Sequence, residues 1–118
     1  MQYMLLLYAD ESRAPEEAVI QSMMGQFNAY TDALKKAGAF IAGDRLHRTS
    51  MATAVRNPDG KVKVLNGPYA ETREQLGGYY LIDVSDIDAA ISWAGRCPGA
   101  VYGTVEVRPV FTAAMADA

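Results

Sequence analysis

Apolar and polar positions along the chain alternate between two periods. Tyr3-Met4-Leu5-Leu6-Leu7-Tyr8 is a continuous apolar run closed by Asp10-Glu11-Ser12. Its length and the acidic turn behind it predict a strand, and the lack of alternation predicts cover on both faces. From Ala14-Pro15-Glu16-Glu17 the period becomes helical, with Ile20, Met23, Phe27, Tyr30, Leu34 and Ala37 recurring at steps of three and four. Proline in the first turn and two acids at the positive end of the dipole suit that start. Lys35-Lys36 suit the last turn and Gly38 the C′ position. Gly25 weakens the middle of the helix by about 1 kcal/mol relative to alanine, which suggests a close crossing over a sheet.

Ala39 to Leu46 reads as a second strand, followed by a polar connection at His47-Arg48-Thr49-Ser50. Met51–Arg56 and Lys61–Leu65 form a hairpin about the turn Asn57-Pro58-Asp59-Gly60. Val62 and Val64 alternate with Lys61 and Lys63, so that arm has one wet face and is expected at a sheet edge. Gly78 to Val84 is a strand, apolar on both faces apart from Asp83. Ser85-Asp86-Ile87-Asp88 opens a second helix as an acidic version of the capping box. Its buried stripe reads as Ile87, Ala90, Ile91 and Ala94, and Cys97-Pro98-Gly99 stops it. A last strand runs from Tyr102 to Val110, and residues 113–118 are expected to fray.

Without the hairpin, this order is the split βαβ pattern of a ferredoxin-like α+β domain spanning residues 1–112. Two helices can cover only one face of its antiparallel sheet. Yet the strands at Tyr3–Tyr8 and Tyr79–Val84 are apolar on both. The face left bare would be an apolar patch of more than a few hundred Å², which monomers rarely expose. Patterning therefore predicts a homodimer, packed sheet against sheet.

Composition narrows the function classes. A net charge of -3, with lysines and arginines scattered singly apart from Lys35-Lys36, leaves no basic patch for nucleic acid. The apolar stretch at Met4–Tyr8 is too short to span a membrane and lacks the basic flank of a signal peptide, so no membrane association is expected. One cysteine, Cys97, excludes an internal disulfide and fits a reducing, cytoplasmic setting. One histidine and one cysteine, distant in sequence, provide no metal-ligand spacing. Gly77-Gly78 enters a strand rather than a helix, so there is no phosphate loop. No cofactor or metal is expected.

Candidate chemistry gathers in a few places. Glu71, Thr72, Arg73 and Glu74 lie between the hairpin and the buried strand. Two carboxylates beside an arginine and a hydroxyl can bind a polar ligand or move a proton. They can equally be a satisfied turn, with Thr72 as a cap and the acids paired to Arg73. Histidine is the side-chain type suited to acid or base work near neutrality, and His47 follows Asp44 and Arg45, which suits a general acid or base; the alternative is a solvated loop histidine between Arg45 and Arg48. Asp10, at the end of the first strand, and Glu106 and Arg108, on one face of the last, either line a pocket or lie at the surface. Cys97 reads as a buried structural thiol.

Asn66-Gly67-Pro68-Tyr69-Ala70-Glu71-Thr72-Arg73-Glu74-Gln75-Leu76-Gly77-Gly78-Tyr79 resembles the Asp-Gly-Pro-Phe-Ala-Glu-Thr-Lys-Glu-x-Leu-Gly-Gly-Phe signature of the DGPF proteins, a part of the YCII-related family. The start at Tyr3–Tyr8, Arg96-Cys97-Pro98 and the ending Val105–Pro109 fit as well. The resemblance implies a dimeric α+β barrel. It also implies one of two functions: a small enzyme of the muconolactone-isomerase kind, or a partner of alternative sigma factors. Asn66 departs from the signature aspartate, and Arg73 stands where lysine would. On the enzyme reading, an isomerase- or lactonase-like acid/base catalyst, His47, Glu71 or Glu74 would carry the proton. Asp10, Arg45, Thr72, Arg73, Glu106 and Arg108 would hold a small, anionic substrate. On the other, the domain is a non-catalytic, ligand-binding or regulatory module that acts through a protein partner.

Overall fold

A computed structural model describes residues 1–13 and 15–112; the tail expected to fray lies outside the described residues. The chain forms β1 (Gln2–Ala9), α1 (Glu17–Lys36), β2 (Phe40–Arg45), β3 (Thr53–Arg56), β4 (Lys63–Asn66), β5 (Gln75–Asp83), α2 (Ile87–Arg96), the single turn α3 (Gly99–Tyr102) and β6 (Thr104–Pro109). The main sheet has the order β2-β5-β1-β6, with every neighbouring pair antiparallel. This is the ferredoxin-like α+β topology that the order of periods predicts.

Alternation along the strands separates two faces. Tyr3 and Leu5 of β1, Tyr80 and Ile82 of β5, and the partly buried Val105 and Val107 of β6 pack beneath the helices. They meet Tyr30 and Leu34 of α1 and Ala90 and Ala94 of α2. Leu5, Leu34 and Ile82 are wholly buried, each worth about 1.5–3 kcal/mol relative to exposure. Met4, Leu6, Tyr79 and Leu81 lie on the opposite face, half-buried, with no helix over them among the described residues. The molecule measures 48 × 46 × 20 Å, and its short dimension is that of one helix layer on one sheet.

The helix termini follow their local chemistry. Beyond α1, Gly38 N–H bonds the Lys35 carbonyl and Ala39 N–H the Leu34 carbonyl, both at 3.0 Å. That is a Schellman motif, with Gly38 at a φ of 71° that suits glycine. At the other end Pro15 stands before the N-cap, Glu16, instead of inside the first turn, and Glu16 makes no side-chain cap. Asp86 caps α2, accepting from the Ala89 N–H at 2.8 Å, so only half of the expected box forms.

Other expectations need correction. The stripe of α2 is rotated: Ile87 and Ile91 are 42% and 54% exposed, and Ala90, Trp93, Ala94 and Cys97 face inward. The alanines let the helix approach the sheet, and Trp93 reaches the Tyr30 ring, 6.0 Å between centroids. One helical turn occupies Gly99–Tyr102, where the last strand was expected to begin. Gly25 faces open space, so it marks no close crossing. The hairpin β3-β4 is a separate two-stranded sheet and not an edge of the main one. Its cross-strand pair Val55–Val64 is exposed at 61% and 63%. The standing hairpin helps raise the radius of gyration to 16.4 Å, against about 13.5 Å for a compact domain of this length.

Close backbone approach fixes the glycine pair in β5. Gly77 is the extra residue of a bulge opposite Leu7 and Tyr8. At Gly78 a Cβ would stand 3.1 Å from the Asp44 carbonyl of β2. The tightest site is Gly103, between α3 and β6, where a Cβ would overlap the Tyr8 carbonyl oxygen. Gly103→Ala is therefore expected to cost more than about 2 kcal/mol in denaturant unfolding. Gly25→Ala, in open space, should instead stabilise by about 0.5–1 kcal/mol.

Candidate functional site

The buried residues of α1, Tyr30 and Leu34, both lie in its C-terminal half. Tyr80 supports the boundary. Its ring packs edge-on against Tyr30 at 5.3 Å and Phe40 at 6.4 Å, and its hydroxyl lies 2.8 Å from that of Thr31. Gly43, opposite on β2, makes room: a Cβ there would fall 2.7 Å from the Tyr80 ring. Beyond this point a cleft of about 930 Å³ opens between α1 and the end of the sheet, near the upper end of the range for small-molecule sites. Ile20, Met23, Met24 and Phe27 of α1, with Leu7 and Phe40, form its apolar wall.

The mouth is polar. It is built where the C-terminal ends of β1 and β2 meet the N-terminal end of β5, and it brings together Asp10, Arg45, His47, Arg73 and Glu74. Five of the nine residues singled out from sequence thus converge. Glu71 and Thr72 line a shallower neighbouring cavity of about 430 Å³, which Asp10 shares. Glu106 and Arg108 lie elsewhere, on the open face of β6 opposite Leu6 and Met4. Asn66 pairs with Thr53 at the end of β4 and lines neither cavity.

Hydrogen bonds determine what each group can do. Glu74 accepts from the Thr104 hydroxyl at Oε1, 2.7 Å away, which leaves Oε2 available. His47 accepts the Arg48 backbone N–H at Nδ1, 2.9 Å away. The neutral ring therefore carries its proton on Nε2 and acts as a donor rather than a base. Asp10 Oδ1 accepts from the Ser12 hydroxyl at 2.6 Å and the Ser12 N–H at 2.9 Å. Those bonds, with Arg13 and Arg73 contributing at longer range, hold its carboxyl below the usual range. Tyr79 donates to Asp44 Oδ2 at 3.0 Å, and this bond retains the phenol proton and raises the Tyr79 pKa. Cys97 is wholly buried, with a thiol pKa raised by that burial, in keeping with a structural role.

The loop before β5 is not held by its charges. Among the described residues no ion pair joins Glu71 or Glu74 to Arg73. Instead the Thr72 hydroxyl donates to the Glu74 carbonyl, and Gln75 Nε2 to the Thr72 carbonyl. Gln75 Oε1 in turn accepts the Glu11 N–H at 2.9 Å. Glu11 then accepts from Thr49, from the hydroxyl at 2.6 Å and the N–H at 2.9 Å. Sequence reasoning missed Gln75, Thr49 and the Tyr79–Asp44 pair. Gln75 falls at an unspecified position of the signature, and the others are joined only by the fold.

A YCII-related domain model matches residues 1–114. The chain belongs to the YCII-related family. An uncharacterized protein of Rhizobium meliloti (strain 1021) is 35% identical over 93% of this chain and 92% of its own length. The signature stretch of this YCII-related domain thus spans three structural roles: hairpin end at Asn66, cavity rim at Pro68–Glu74, and bulged central strand from Gln75. No helix among the described residues is long and apolar enough to cross a membrane.

Thr49 lowers the pKa of Glu11, chiefly through its hydroxyl, from an ordinary value of 4.5. A depressed carboxyl stabilises above its unfolded-state pKa and loses that contribution as pH falls through the folded-state value. Thr49→Val is expected to destabilise by about 1 kcal/mol near neutrality. In urea titrations across pH, the difference from the parent should shrink as pH falls below about 4.5.

Proposed function

We propose that this YCII-related domain binds a small organic molecule in the cleft beside α1 and acts on it by proton transfer. One observation carries this reading. Glu74, anchored through one carboxylate oxygen by Thr104, presents the other where an apolar wall meets His47, Arg45 and Arg73. Glu74 Oε2 takes a proton from one position of the ligand and returns it to another, as in an isomerase- or lactonase-like step. The His47 Nε2–H donates to the oxygen on which charge develops, and an arginine holds the ligand in register. Asp10 orients the mouth through Ser12. Glu71 and Thr72 shape the adjoining rim, whereas Glu106 and Arg108 serve the open face.

That face supports the second part of the proposal, a homodimer. Met4, Leu6, Tyr79 and Leu81 form an apolar surface flanked by Glu106 and Arg108, and a second copy laid sheet to sheet would bury it. Since Tyr79 and Asp44 also line the cleft, the partner would wall its outer side. The exposed apolar hairpin, including Val55, Val64 and Leu65, favours a second reading: a regulatory module that uses the hairpin to hold a protein partner, of which a sigma factor is one kind. In either case the chain works in the cytoplasm.

Proton transfer has a direct readout in solvent deuterium. With lactones and enolisable acids as ligands in D₂O, the parent protein should catalyse carbon-bound hydrogen exchange visible by NMR. Glu74→Gln should reduce it by about 10²-fold or more, and His47→Ala by less. Exchange unaffected by Glu74→Gln would refute the role given to that carboxylate. Leu6→Glu should turn the dimer into a monomer in sedimentation velocity at micromolar concentration without loss of helical signal. A parent protein that sediments as a monomer would overturn the sheet-to-sheet assembly.

A further inference from the structure

The bonding around the cleft mouth is asymmetric. Each of its carboxylates already accepts a hydrogen bond from an uncharged donor: Asp10 from Ser12, Glu11 from Thr49, Asp44 from Tyr79 and Glu74, at one oxygen only, from Thr104. Its guanidinium groups are not matched in the same way. Among the described residues, Arg45, Arg48 and Arg73 have no carboxylate within 4.0 Å. Arg48 reaches only the Glu11 backbone carbonyl, at 3.5 Å, and Arg13 alone contacts an acid, Asp10, at 3.8 Å. A guanidinium presents a planar fork of donors that matches a carboxylate bidentately. Three such forks border one recess, and the acids nearby leave them free.

The other end of the recess is equally unmatched. Ile20 and Met24 are large apolar side chains, 37% and 54% exposed, that line the cleft. Together with Met23 and Phe27 they make a strip along α1 of flexible and aromatic side chains, which adapts to an apolar body of varied shape. The charge balance limits the head group. Four carboxylates stand among the four arginines lining the cleft, so a doubly charged phosphate would meet repulsion that a single carboxylate largely escapes.

We infer that the ligand of this cleft is an amphipathic monocarboxylic acid, its carboxylate held by Arg45 and Arg73 and its apolar body lying along Ile20, Met24 and Phe27. The inference rests on the cleft being the ligand site, and it specifies the class of molecule. Arg48, on the same rim, is the third donor.

Isothermal titration of the full chain with octanoate, 1-octanol and octyl phosphate tests it. Octanoate should bind at least tenfold more tightly than 1-octanol and more tightly than octyl phosphate. Arg45→Met combined with Arg73→Met should weaken octanoate about tenfold and leave 1-octanol unchanged. Met24→Asp, at an exposed position that folding does not need, should weaken both. Equal binding of octanoate and 1-octanol, tighter binding of octyl phosphate, or indifference to the arginine substitutions would overturn the assignment. If neutral compounds raise the melting temperature while octanoate does not bind, the ligand class fails and the cleft stands as a binding site. If neither set binds, both readings fail.

Discussion

Tyr80 is the contact on which the arrangement turns. Its ring fills the space between α1 and β2, edge to Tyr30 and Phe40, and its hydroxyl closes on Thr31. C-terminal to that contact α1 buries Leu34 in the core, and N-terminal to it Ile20, Met23, Met24 and Phe27 line the cleft above the strands. A bulkier residue at Gly43 would push Tyr80 aside, and the seam between core and cavity would shift with it. Packing and site are therefore two sides of one side chain. Burial accordingly raises the Tyr80 pKa, with Thr31 acting against that shift.

The second constraint is arithmetic. Four strands have two faces, and the helices of the chain cover one. The sheet resolves this in a graded way. Tyr3, Leu5, Tyr80 and Ile82 are sealed, and their alternates Met4, Leu6, Tyr79 and Leu81 are left half-shielded by one another. The hairpin multiplies the exposed apolar surface instead of reducing it, with Val62 and Leu65 also open to solvent. Two apolar surfaces are thus left without a helix over them among the described residues, the open face of the sheet and the hairpin.

Much of the fold was legible in the sequence because its signals are local. The run at Tyr3–Tyr8, the period of α1 and Gly38 at its end lie within single elements. The rotation of α2 was not legible, since Ile87 and Ile91 have the right spacing for a stripe. Only the fit of Ala90 and Ala94 to the sheet, and of Trp93 to Tyr30, decides which face turns inward. The site was legible by residue type and not by grouping. Asp10, Arg45, His47, Arg73 and Glu74 come from the ends of three strands, and strand order brings them together. Glu106 and Arg108 share their chemistry and lie on the other side. The bonds at these groups were not legible either, because no spacing reveals them: Thr104 to Glu74, and the Arg48 amide to His47.

The chain of bonds from Thr49 through Glu11 and Gln75 to Thr72 has a further consequence. The loop entering β5 is fastened by one amide side chain and two hydroxyls, while Glu71 and Arg73 make none of its fastening contacts. Shape and charge are thus entrusted to different residues. Glu71 and Arg73 can therefore change without loosening the loop, so the charge of this rim can vary on an unchanged frame.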